Sequence, residues 1–169
     1  MAFDSAIQIG HPIAFGMLLV FSIIEMCISA WITAKYNAHH NFPNTGTRAR
    51  VRYILFTSIW TIIFGSVYMA VFLVAVNHVL SSIASHVIFL SVTWILWLAA
   101  AAAITQTLGG SLNCANDSFF VYCGQLNALE GFAWLIWVLL TLILIAVLIR
   151  GIVSAKNGSG FQGGLVDEV

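Results

Sequence analysis

The chain has 169 residues, of which 61% are hydrophobic and 7% charged, whereas an average soluble domain carries roughly 25% charged residues. Six basic and six acidic side chains cannot clothe a water-soluble surface of this length, and a formal net charge of zero leaves no basic footprint for nucleic acid. The composition excludes a soluble domain and points to an integral membrane protein.

A helix that crosses a ~30 Å hydrocarbon core needs about 20 mostly apolar residues. After an N-terminal segment, 1–11, four stretches qualify, at about 12–33, 53–76, 86–105 and 131–149. Glu25 is the one charged residue inside them. Backbone groups in lipid must be satisfied within helices or closed barrels. Continuous apolar runs without period-2 alternation select helices. The expected fold is all-α, a four-transmembrane-helix antiparallel bundle over 12–150, with a flexible C-terminal tail over 151–169. The N-terminus lacks the basic region of a cleaved signal peptide, so the first span is expected to be retained.

An even number of spans places both termini on one face and the first and third loops on the other. Two signals disagree on which face is cytoplasmic. Lys35, Arg48, Arg50 and Arg52 lie in the first loop, against Arg150 and Lys156 beside the last span, and this count favours cytoplasmic loops. The third loop carries Cys114 and Cys123, which read either as a disulfide or as two unpaired thiols. A disulfide would persist mainly outside the cytoplasm. The same loop holds an N-glycosylation sequon at Asn116, and a second match at Asn157 lies on the opposite face. Termini in the cytoplasm is the favoured arrangement.

Glu25 belongs to a polar stripe. At 100° per residue, His11, Ser22, Ser29 and Thr33 fall within about 80° of it around the first helix. Acids inside spans face a bundle interior and are functional candidates. The stripe reads either as a proton, ion or lipid-headgroup site, or as an interhelical hydrogen-bond seam with Glu25 protonated. Thr57, Thr61 and Gly65 repeat every four residues as a small-residue ridge for close helix approach. The five alanines from Ala99 to Ala103 have the same effect. Trp94, Trp97, Trp134 and Trp137 suit helix packing or lipid contact, and Trp31, Tyr36 and Tyr53 suit an interfacial belt. Cys27 is expected to behave as a small buried apolar residue. Arg48, Arg50 and Arg52 are candidates for lipid phosphates. His39, His40, His78 and His86 lack ligand spacing for a metal, and no catalytic constellation is present.

The order of these features resembles fungal MARVEL-domain proteins. The resemblance rests on the basic entry to the second helix, Arg48-Ala-Arg-Val-Arg-Tyr-Ile, and on the aromatic-then-alanine third helix from Thr93. The two-cysteine loop and the small and aromatic start of the fourth helix at Ala128-Leu-Glu-Gly-Phe-Ala-Trp complete it. Within that group the short tail and basic loop look similar to the non-classical export protein branch. The resemblance implies a four-helix bundle with cytoplasmic termini in the plasma membrane or a secretory-pathway membrane. It also implies a paired Cys114 and Cys123 and a non-enzymatic role in membrane apposition, vesicle trafficking or lipid-domain organisation.

The expected function is therefore a scaffold that acts by lateral self-association and contact with membrane lipids, with no cofactor beyond a bound lipid or sterol and no nucleic-acid partner. The alternative is a small channel or proton-coupled transporter that uses Glu25.

Overall fold

The computed structural model describes residues 2–74, 83–115 and 119–156, with the side chains of 2–9, 72 and 74 left aside. Among the described residues four helices follow one another: α1 (Ala2–His39), α2 (Thr45–Val74), α3 (Ile83–Leu108) and α4 (Cys123–Lys156). All four are long and apolar enough to cross a membrane. They extend past the expected spans, because sequence hydropathy marks the hydrocarbon-facing part of a helix and not its hydrogen-bonded ends.

Each helix turns inward at alternating steps of three and four residues, the period of one helical face. On α4 the buried positions are Leu126, Leu129, Ala133, Ile136, Leu140, Ile143 and Val147. On α1 they are Phe15, Leu18, Ser22, Glu25, Ser29, Ile32 and Tyr36. α1 packs on α2 and α4, and α3 packs on α2 and α4, which makes an antiparallel square. The outer faces present Ile13, Val20, Ile63, Ile88, Ile95 and Leu142, each more than half exposed. The interior meanwhile holds fully buried Ser22, Glu25, Ser29, Thr57, Ser58, Thr61 and Thr93. An apolar exterior around a core that mixes apolar side chains with hydroxyls suits a bundle whose solvent is lipid, where packing and interhelical hydrogen bonds replace the hydrophobic drive.

Local chemistry fixes the ends on the loop face. Asn44 caps α2, its side-chain Oδ1 accepting from Thr47 N at 2.7 Å as N-cap residues do. α3 stops at Gly109 and Gly110, with φ of +74° and +98°. Their N–H groups both donate to Thr105 O, a left-handed termination that glycine adopts without a Cβ penalty. The loop that follows is stapled to α4 by Asn127, which accepts from Leu112 N and donates to Leu112 O, each at 2.8 Å. Cys114 and Cys123 are disulfide-bonded, with Cα atoms 5.6 Å apart.

Candidate functional site

Two groups of residues stand out, a polar interior and a cationic rim. The interior is organised by tryptophan and threonine. Trp97 Nε1 donates to Thr61 Oγ1 at 2.9 Å and Trp60 Nε1 to Thr93 Oγ1 at 3.3 Å, joining α2 and α3. Trp94 donates to Thr141 at 2.8 Å and Trp134 to Thr105 at 2.9 Å, joining α3 and α4. Thr61 and Thr141 in turn donate to the carbonyls one turn back, Thr57 O and Trp137 O. Each such hydroxyl is thereby oriented with a lone pair toward the incoming indole.

These bonds answer the sequence expectations unevenly. Trp97 is fully buried and is a packing residue with no lipid contact inside the chain, while Trp94, Trp134 and Trp137 are half-buried. The ridge Thr57, Thr61 and Gly65 is also buried. A Cβ on Gly65 would meet Leu19 Cδ2 at 3.2 Å. This ridge therefore seats α2 within the bundle and offers no surface for lateral association. Tyr36 belongs to the core and not to an interfacial belt, and Cys27 lies exposed on the outer face of α1. Trp31 does lie outside, with Lys35 Nζ 5.7 Å from its ring centroid.

The polar stripe of α1 turns inward at His11, Ser22, Glu25 and Ser29, with Thr33 half-buried. Glu25 is 0% exposed, and neither carboxyl oxygen has a hydrogen-bond partner among the described residues. Ser29 Oγ bonds the backbone of its own helix, at Glu25 O, 2.7 Å away. Among the described residues the interhelical seam is made by the tryptophan–threonine pairs together with Tyr53, which donates to Leu96 O, and Tyr68, which bonds Ser85, and not by Glu25. Toward the end away from the disulfide, His11 and His86 rings meet at 5.4 Å beside Phe15 and Tyr68.

A second membrane acid escaped the sequence reading. α4 begins at Cys123, earlier than the expected start at 131, so Glu130 lies inside it, 8% exposed, its Oε1 accepting from Thr105 Oγ1 at 2.7 Å. The helical spacing of Leu126, Leu129 and Ala133 is the signal that would have extended the helix.

On the loop face the cations are held by neutral acceptors. Arg48 and Arg52 both donate to Asn37 Oδ1, at 2.7 and 3.0 Å. Arg50 donates to Thr107 and Gln106 on α3, and the Arg48 guanidinium sits 5.0 Å from the Phe42 ring centroid. Asn41 Nδ2 donates to Tyr122 Oη at 3.0 Å, which ties the first loop to the cysteine loop. Among the described residues no carboxylate pairs with Lys35, Arg48, Arg50 or Arg52. His39 and His40 are exposed beside them. Asn116, Asn157 and His78 lie outside the described residues.

A family model described as a membrane-associating domain, MARVEL, matches residues 9–146. No curated protein and no solved structure matches the chain.

Proposed function

The chain belongs to the MARVEL family of membrane-associating domains, and from that premise we propose that it is a non-enzymatic tetraspan that organises membrane domains. It does so by lateral self-association and by selecting the lipids around it. The observation that carries this reading is the division of the surface. An apolar perimeter on all four helices meets a rim of four cations that no acidic side chain among the described residues neutralises. The perimeter contacts acyl chains, or a bound sterol, and the outer faces of neighbouring copies. Lys35, Arg48, Arg50 and Arg52 contact lipid phosphates.

Cytoplasmic termini, and a plasma-membrane or secretory-pathway location, are supported by the disulfide, which persists in oxidising compartments. The basic entry to α2, with Arg48, Arg50 and Arg52, supports placement in the non-classical export protein branch, with roles in membrane apposition or vesicle trafficking.

The test uses purified protein in vesicles that mix phosphatidylcholine with an anionic phospholipid. Energy transfer between labelled copies is expected to exceed the value for random mixing at the same lipid-to-protein ratio; transfer at the random value overturns the self-association. With the anionic phospholipid present in both leaflets of the vesicle, each juxtamembrane cation contributes about 1 kcal/mol to binding it. The triple variant Arg48→Gln, Arg50→Gln, Arg52→Gln is therefore expected to retain markedly fewer anionic lipids in native mass spectrometry. Equal retention overturns the phosphate contact.

A further inference from the structure

The inward face of α1 carries a row of oxygens without hydrogen-bond partners among the described residues. They are Ser22 Oγ, both Oε atoms of Glu25, Thr33 Oγ1 and Tyr36 Oη, continued beyond the helix by Asn41 Oδ1. Roughly nine in ten buried polar groups find a partner in the protein or in ordered water, so several orphans on one helical face call for a common explanation. A helical turn of 3.6 residues keeps Ser22, Glu25, Thr33 and Tyr36 within about 80° of one another. Water, which takes two to four hydrogen bonds in a polar cavity, is the group that can satisfy such a row.

All of these oxygens are buried, and they lie on the disulfide side of Leu18. From Glu25, midway along the span Gly10–His39, the row passes Ser29, whose hydroxyl bonds its own helix, and the fully buried Ile32. It then resumes at Thr33 and Tyr36 and reaches Asn41, which is bonded to Tyr122 beside the disulfide. The other way, past Ser22, the same face presents Leu18 and Phe15, both fully buried, before His11 is reached. Two apolar turns separate the orphan oxygens from the opposite face.

We propose that this row is a water-filled path with a blind inner end. Through it Glu25 exchanges its proton with the face that carries the Cys114–Cys123 loop and not with the opposite face. The titratable or charged groups that the helices turn inward are His11 and Tyr36 on α1, Tyr53 and Tyr68 on α2, His86 on α3, and Glu130 and Arg150 on α4. None of them hydrogen-bonds the Glu25 carboxyl. Glu130, the other acid, is engaged by Thr105. The path carries protons to the middle of the bundle without passing ions across it, so the packing of α1 becomes responsive to conditions on one side. This holds whether or not the protein self-associates.

The experiment uses the full chain with Cys27→Ser, its disulfide intact, in sealed vesicles of defined orientation. Single cysteines are placed by Thr33→Cys, Ser22→Cys and Leu18→Cys, with Asn44→Cys as an exposed control. Silver ion, close to water in size and reactive with thiols, is added to one side, and the blocked fraction is read by mass after alkylation. Ser22→Cys and Thr33→Cys should be blocked from the disulfide face at least tenfold faster than from the other, with Leu18→Cys blocked slowly from both. Ser22→Cys or Thr33→Cys unblocked from the disulfide face while Asn44→Cys reacts overturns the path. Fast blocking of Leu18→Cys or Ser22→Cys from the opposite face overturns its closed end. Infrared spectroscopy provides a second readout: the carboxyl band absent from Glu25→Gln should shift in heavy water within seconds. A band still unshifted after hours also overturns the proposal.

Discussion

At the scale of single residues, the bundle separates hydroxyls that serve their own helix from hydroxyls that join two. Thr57 Oγ1 donates to Tyr53 O within α2, a bond the helix does not need. Thr61, one turn on, also accepts the Trp97 indole from α3. Thr61→Val leaves that buried N–H without an acceptor, and a buried unsatisfied donor costs about 1–3 kcal/mol. Thr57→Val removes a donor along with its local bond and is expected to be near neutral. Unfolding by detergent titration should separate the two variants by at least 1 kcal/mol, and equal stabilities would mean that the Trp97–Thr61 bond contributes nothing.

At the scale of the helical element, Gly65 decides how closely α1 and α2 approach. Its missing Cβ is the space that Leu19 occupies. Gly65→Ala asks Leu19 to give by a few tenths of an ångström, while Gly65→Leu forces the helices apart and disturbs the adjoining Thr61–Trp97 contact. Overpacking of this kind typically costs 1–3 kcal/mol. The expected outcome is a lowered unfolding temperature for Gly65→Leu, with the alanine variant between it and the wild type. A change in oligomer size at unchanged monomer stability would instead place Gly65 at a contact between copies.

At the scale of the whole molecule, the disulfide ties the loop that follows α3 to the first residue of α4, nine positions on. Closing a loop of this length restrains the unfolded chain by roughly 2.5 kcal/mol in the chain-entropy description. The core residues of all four helices make their contacts without it. Reduction is expected to lower the midpoint of thermal unfolding while circular dichroism at 25 °C keeps its helical signal. Loss of helicity on reduction would mean that the loop, and not the interior, holds α3 and α4 together. Asn127 gripping Leu112 should keep much of the loop in place after reduction.

The sequence by itself determined that the chain is membrane-embedded, that it has four helices, and that Glu25 lies on the polar face of the first. These follow from transfer free energy and helical period, which are properties of a segment and need no neighbour. It did not determine what each interior group touches. Trp97 and Trp94 are indistinguishable as letters, yet one fills the core and the other lies half at its edge. Thr57, Thr61 and Gly65 read as a ridge for any partner, and tertiary structure assigned that ridge to α1 and α3 of the same chain. Glu130 looked like a flanking charge because hydropathy falls off before a helix ends. Only packing, which fixes how each helix is rotated about its axis, could turn it inward to Thr105 and leave Glu25 among oxygens that have no hydrogen-bond partner among the described residues.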